Sequence, residues 1–325
     1  MNRILIRPPE PWYMEVHAEY LIRYLSDEFF IELAHNFHPL VPEFITGFTR
    51  NMDNFDLLYS LAPSHSLNFF TKDYLYKCVQ VMCIPGEGTI DGVAGIGALT
   101  PDVERSLQGK KYHSLRFGVD LELFKPIEMV REDDLFHVGM VGNLFHRRNT
   151  INMVKAFTGI PGLRFMLFPT VAPRNQAELD VLGNNPEMII GGGKHWPGIP
   201  NIYNRLDLIL RPDSDAGYSF PLLEAAACGV PFIASDGAGE GGIEDTFSKR
   251  GAGVMLPRDR DWILAHPEEH AVIFRDAVLE LMKDRQKVKE MGKIGRKIVE
   301  EEYRWEQHIP AWREFFREAI ENAKR

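Results

Sequence analysis

Short β-branched runs alternate with longer stretches of helical period along this chain, and they do so in two series separated by an acidic break. That alternation is the pattern of parallel sheets covered by helices, and it excludes an all-helical bundle or a β-sandwich. In the first series, residues 3–7 read as strand, 8–13 as loop and 16–25 as helix, with Val16, Tyr20, Leu21 and Tyr24 on one apolar stripe. Strands are expected at 56–60, 78–84 and 92–99. Thr100 then serves as an N-cap with Pro101 at the first helical position, opening a helix that runs to Leu107. The first sheet ends near Phe117.

A second series opens at 136–141, an apolar run closing on Gly142 and leading to a helix at 150–157. Further strands are predicted at 164–168, 188–190, 206–210, 231–234 and 252–256. Residues 125–134 form the break. The expected fold is therefore α/β, with two Rossmann-like domains, 1–127 and 128–302, facing across a cleft. From Glu268 onward the chain is helical and amphipathic and ends in Trp305, Trp312, Phe315 and Phe316. Residues 303–325 are expected to form a helix that crosses the junction and packs back toward the N-terminal domain. No internal repeat or low-complexity tract interrupts this plan.

The 325 residues can bury a large core, and 45% are hydrophobic with 26% charged, the balance of a soluble globular protein. No run approaches the roughly 20 apolar residues of a membrane span. Residues 1–7 go directly into a strand-like run without the pattern of a signal peptide. Three cysteines are too few for a disulfide framework, and no Cys or His spacing resembles a zinc site. A cytoplasmic location is expected. A net charge of -9 provides no general attraction to nucleic acid, so a nucleic-acid acceptor is not favoured.

The most informative segment is 207–235, where DLILRP is followed by DSDAGYSFPLLEAAACGVPFIAS. A strand ends at Arg211 and Pro212, a turn containing Gly217 follows, and a helix starts near Tyr218, Ser219, Phe220 and Pro221. The free N–H groups and positive end of that helix form an anion site at the carboxyl edge of a parallel sheet. Glu224, one turn into the helix, can accept hydrogen bonds from the vicinal hydroxyls of a ribose while the helix N-terminus holds a diphosphate. The small run 225–229 lets the helix sit close to the sheet.

The segment 207–229 resembles the signature of retaining glycosyltransferase family four, of the glycosyl transferases group 1, which has the GT-B fold and uses nucleotide sugars. Three more segments agree in order. FGVDLELFKP at 117–126 is similar to the interdomain stretch of that family. VGNLFHRRNTINMVKAF at 141–157 is similar to its first C-domain strand, loop and helix, and Tyr303, Arg304, Trp305 and Glu306 resemble the start of its last helix. The match covers about the last two-thirds of the chain.

The resemblance places the donor ribose on Glu224 and the donor diphosphate near Gly142, Asn143, Arg147 and Arg148, with Arg148 at the family's lysine position and Asn143 at its arginine. Gly193, the last of the glycine run 191–193, and Lys194 join the candidate donor residues at a strand end, and the glycine-rich loop 237–242 lies near the expected diphosphate. The family's first glutamate falls on Ala216, so a carboxylate from Asp213 or Asp215 is expected to stand in, with Asp215 the candidate. In the N-domain, Trp12 and Tyr13 replace part of the family's glycine loop and are expected to face the acceptor. Glu87 takes the region of a family histidine, and His65 is a further candidate for the cleft. For His65, a structural role as the neighbour of a helix cap is the simpler explanation. Cys78, Cys83, Cys228 and the terminal aromatics read as core.

The resemblance implies transfer of a sugar from a nucleoside diphosphate donor to an acceptor hydroxyl of unknown class, with retention at the anomeric carbon, and no metal or other cofactor is expected to be required. Two other readings share the fold. Ala216 motivates a degenerate protein that binds a nucleotide sugar without transfer, and an epimerase would alter the donor without any acceptor.

Overall fold

The computed structural model describes the chain apart from residues 8–12, 34–51, 61–71, 84–87, 132, 143, 145–147, 170–174, 178–179, 181–197, 214–217, 236–242 and 258, and gives the backbone alone at 7, 13–15, 60, 72 and 243–244. It divides into two compact units, one comprising Met1–Gly118 with Trp305–Arg325 and the other Val119–Arg304.

The first unit contains β1 (Asn2–Arg7), α1 (Tyr13–Leu25), β2 (Phe29–Leu33), β3 (Leu57–Ser60), β4 (Cys78–Met82), β5 (Gly95–Ala98), α2 (Pro101–Ser106) and β6 (His113–Ser114). All strand pairs are parallel, in the order β2-β1-β3-β4-β5-β6. The cap expected at Thr100 is present, its hydroxyl accepting from the Val103 N–H at 3.3 Å. Strand β2 was not foreseen. It is an edge strand that buries Phe29 and leaves Phe30 exposed, and its Glu32 is paired with Arg3 of β1, so its pattern is too mixed to stand out in sequence.

The terminal helix, Trp305–Ala323, belongs to this first unit and completes its core. Trp305, Trp312, Phe315 and Phe316 are buried, and the Trp312 indole donates to the Arg116 carbonyl at 2.8 Å. Arg313 binds Glu28 at 2.7 Å and Asp27 at 3.1 Å. A Cβ on Gly118 would lie 2.4 Å from the Trp305 backbone nitrogen, so the approach of these two segments requires glycine.

The second unit contains β7 (Phe136–Gly142), α3 (Thr150–Phe157), β8 (Leu163–Pro169), α4 (Ile199–Arg205), β9 (Leu208–Arg211), α5 (Phe220–Ala227), β10 (Phe232–Ser235), α6 (Ile243–Lys249), β11 (Gly253–Leu256), α7 (Arg260–Ala265), α8 (Pro267–Met282) and α9 (Arg285–Glu302). Its sheet is also parallel, in the order β11-β10-β9-β7-β8. Strand β7 is buried along its whole length, as a central strand covered on both faces must be. The strand expected at 188–190 lies outside the described residues. The two units are the Rossmann-like domains of a GT-B fold.

The chain leaves β7 toward β8 on one side and returns to pair β9 on the other. The carboxyl ends of β7 and β9 therefore flank a topological switch point, where doubly wound sheets open a crevice for ligands.

Candidate functional site

The residues that end β7 and β9 meet through charged side chains. Gly142, the last residue of β7, has φ 116°, and a Cβ there would lie 2.9 Å from a terminal nitrogen of Arg148. Glycine is required twice over, by the backbone angle and by the guanidinium packed against it. Arg148 donates from Nε to Asp213 Oδ1 at 2.8 Å and from a terminal nitrogen to the Val141 carbonyl. Asp213 is also paired with Arg211 of β9 at 2.9 Å, and its backbone carbonyl accepts from the Ser235 hydroxyl at 2.8 Å. The side chains of Arg148, Arg211 and Asp213 are only 7–11% exposed. Burial pulls Arg148 below the usual arginine range, and Asp213 opposes that shift.

Asp213 is one of the two carboxylates that could stand in for the one missing at Ala216. Its oxygens instead serve the two arginines, which commits them to holding the strand ends together. Arg148 is where the phosphate reading needs a cation. It is an anchored cation, with its Nε and one terminal nitrogen engaged and further N–H groups on a five-donor fork.

Eight residues form α5, and Ser219 at its N-cap is fully buried without capping it. The Ser219 hydroxyl has no hydrogen-bond partner among the described residues. The helix opening is leaner in donors than the sequence suggested, because Phe220 N–H is bonded to the Tyr218 carbonyl at 3.2 Å and Pro221 has no N–H. The positive end of the helix and the orphan hydroxyl are what remain for an anion. Tyr218 and Phe220 are buried with ring centroids 5.0 Å apart, so they shape the opening.

Glu224 lies on the next turn. Its Oε2 accepts from the Tyr203 hydroxyl of α4 at 2.7 Å. Burial pushes the Glu224 carboxyl up to about 7, against the hydrogen bond from Tyr203, which lowers it. Tyr203 is buried and held far above its usual range, so it keeps its proton and donates. Tyr203 feels Glu224 and Arg211, and Arg148 feels Tyr203, so the two halves of the site form one electrostatic cluster. The small residues after Glu224 serve a close approach to a helix. A Cβ on Gly292 of α9 would lie 1.9 Å from the Gly229 carbonyl oxygen, and Gly295 faces Ala226.

Gly142, Arg148, Tyr218, Ser219, Phe220, Pro221 and Glu224 thus gather around the carboxyl edge of the second sheet, on β7, β9 and the segments that follow them. Asn143, Arg147, Gly193, Lys194, Asp215 and Gly217 lie outside the described residues, as do Ala216 and the loop 237–242. On the N-terminal unit, Trp12, His65 and Glu87 lie outside them too, and Tyr13 is described by its backbone alone, as the first residue of α1. Sequence reasoning missed Arg211 and Tyr203. Arg211 lies in a run of strand residues and Tyr203 among helix residues, and only the pairing of β7 with β9 and the packing of α4 on α5 bring them to the site. Cys78 and Cys228 are buried in the core, as expected, and Cys83 is half-buried.

The family model for glycosyl transferases group 1 matches residues 127–298, more than half of the chain, and the chain belongs to that family. No curated protein sequence gives a match. Similar solved structures include a sucrose-phosphate synthase from Thermosynechococcus elongatus, at 14% identity and TM-score 0.76, covering 99% of this chain and 100% of that one. A glycosyltransferase from Rickettsia africae ESF-5 is similar at 13% identity and TM-score 0.65, with 99% of each chain covered. WaaG, a glycosyltransferase involved in lipopolysaccharide biosynthesis, is similar at 11% identity and TM-score 0.61, again with 99% of each covered. At these identities the likeness is one of fold. Among the described residues no helix is long and apolar enough to cross a membrane, and no cluster of His, Cys, Asp and Glu is arranged to hold a metal ion.

Proposed function

We propose that the protein transfers a sugar from a nucleoside diphosphate donor to an acceptor hydroxyl with retention at the anomeric carbon, as the family-four resemblance implies. The observation that carries the donor half of this reading is the orphan, fully buried Ser219 hydroxyl at the head of α5, on the segment that leads from Arg211 and Asp213 to Glu224. A buried hydroxyl without a partner costs about 1–3 kcal/mol, and a ligand oxygen there removes that cost. Arg148 and the positive end of α5 provide charge for a diphosphate, and Glu224 can accept from the vicinal hydroxyls of a ribose.

In the reaction the bond between the anomeric carbon and the diphosphate oxygen breaks, and the electron pair leaves with the diphosphate. The cluster stabilises the negative charge that develops on that oxygen. The acceptor oxygen forms the new bond to the anomeric carbon and its proton passes to the departing diphosphate oxygen. Asp215, Glu87 and His65 are the candidate groups for the sugar and the acceptor, with Trp12 and Tyr13 on the acceptor side. No metal is given a role, and a cytoplasmic location fits the donor.

Calorimetry with UDP-glucose, GDP-mannose and ADP-glucose, alongside release of the free nucleoside diphosphate, tests the reading. At least one donor is expected to bind, to bind more weakly as its 2′-deoxy form, and to lose affinity in both Glu224→Ala and Glu224→Gln. Absence of binding by all nucleotide sugars sinks the proposal. Binding without any release, in the presence of a panel of hydroxyl acceptors, favours the non-transferring protein that Ala216 suggests.

A further inference from the structure

We propose that Tyr203 is a positioning residue for the donor, fixing the Glu224 carboxylate so that its remaining lone pairs meet the two ribose hydroxyls. The inference rests on the donor reading above and adds a residue on a different element. A carboxylate on a long side chain has rotational freedom, and accepting from two adjacent hydroxyls at once requires one orientation. The Tyr203 hydroxyl supplies that constraint at 2.7 Å, through Oε2. Tyr203 is itself immobile. It is fully buried on α4, and its ring meets Phe124 edge-on with centroids 6.2 Å apart. The hydrogen bond therefore comes from a fixed point and leaves Oε1, with one lone pair of Oε2, for a ligand.

The same hydroxyl favours the charged form of the carboxylate. Glu224 is pushed upward by burial, and the Tyr203 hydrogen bond is what pulls it back toward ionisation. Among the described residues, the other charged or titratable groups around the pair are Cys228, Arg148, Arg211 and Arg296. Cys228 on α5 is pushed up to about 12, chiefly by burial and then by Glu224, and stays neutral. Arg148 and Arg211 stand on the sheet side of Tyr203. On the other side, Arg296 of α9 donates to the carbonyls of Ala227 and Phe124. Burial brings the Glu224 carboxyl to about 7, into the range of the titration, while the diphosphate diester of a nucleotide sugar keeps its two charges throughout.

The test is the dissociation constant of UDP-glucose, GDP-mannose or ADP-glucose, whichever binds, measured from pH 5.5 to 8.5 in the wild type, Tyr203→Phe and Glu224→Ala. In the wild type, affinity is expected to rise with pH and level off above a midpoint near 7. In Tyr203→Phe the midpoint is expected to move up by about one pH unit, because a hydrogen bond to a charged acceptor is lost. Affinity at pH 7 falls about tenfold, and a few-fold loss remains at pH 8.5 because the carboxylate is no longer held. Glu224→Ala is expected to bind weakly without that profile.

A Tyr203→Phe profile that is parallel to the wild type, with the midpoint unmoved, overturns the inference while the loss in Glu224→Ala leaves the donor reading standing. Failure of the wild type to bind any donor overturns both. Should Tyr203→Phe bind too weakly to titrate, the pH dependence of its melting temperature reports the same midpoint without ligand. An unmoved midpoint there also overturns the inference.

Discussion

Glu224→Gln separates stability from function at one atom. The carboxyl is carried from its ordinary 4.5 to about 7 by burial, so the folded protein holds the proton more tightly than the unfolded chain. Its contribution to stability is full below pH 4.5 and is lost as pH rises toward 7, after which the penalty is constant. At about 1.4 kcal/mol per pH unit, the full penalty is about 3 kcal/mol, and the water that reaches this half-buried group trims it to about 2–3. Glutamine carries no charge and can still accept from the Tyr203 hydroxyl, so it removes the penalty while keeping the bond. The variant is therefore expected to gain about 1 kcal/mol at pH 5 and about 2–3 kcal/mol above pH 7, while losing donor affinity. Melting temperatures of both proteins from pH 4.5 to 9 measure this. A gain of 2 kcal/mol raises the melting temperature by about 4–8 °C for a unit of this size. A difference between the two proteins that stays flat across that range refutes the reasoning, because it would place Glu224 at its unfolded value in the native state.

Two further substitutions test how the site is built. Asp213→Ala strands the buried Arg148 guanidinium beside Arg211, and denaturant unfolding is expected to show a loss of about 3–5 kcal/mol together with weaker donor binding. Gly292→Ala drives a Cβ into the Gly229 carbonyl, a backbone atom that cannot swing aside. The expected loss is about 1–3 kcal/mol or more in thermal unfolding, against no measurable change for alanine at the open position Gly88.

The strand and helix series were legible because each element satisfies a local rule. Strand β7 is an apolar run interrupted only by His137, α3 lies at the predicted 150–157, and Thr100 with Pro101 marks the start of α2. Glu224 could be chosen for the same reason, since a Pro-led helix after a strand is visible in one dimension, whereas Arg148 was singled out by the family resemblance. Edge strand β2 escaped because it buries only Phe29, against Phe316 of the terminal helix, and leaves the rest of its side chains part-exposed or exposed.

The sequence by itself determined two parallel sheets, their approximate elements and the segment that carries the candidate site, because periodicity and capping act over a few residues. Which residues share the site was decided by the tertiary structure. The crossover that seats β9 beside β7 is what turns Asp213 into the partner of both Arg148 and Arg211, 65 residues from Arg148 in the chain. The packing of α4 on α5 is what gives Glu224 its tyrosine. Charge state and orientation depend on burial and on partners distant in sequence, and those exist only once the sheet order is set.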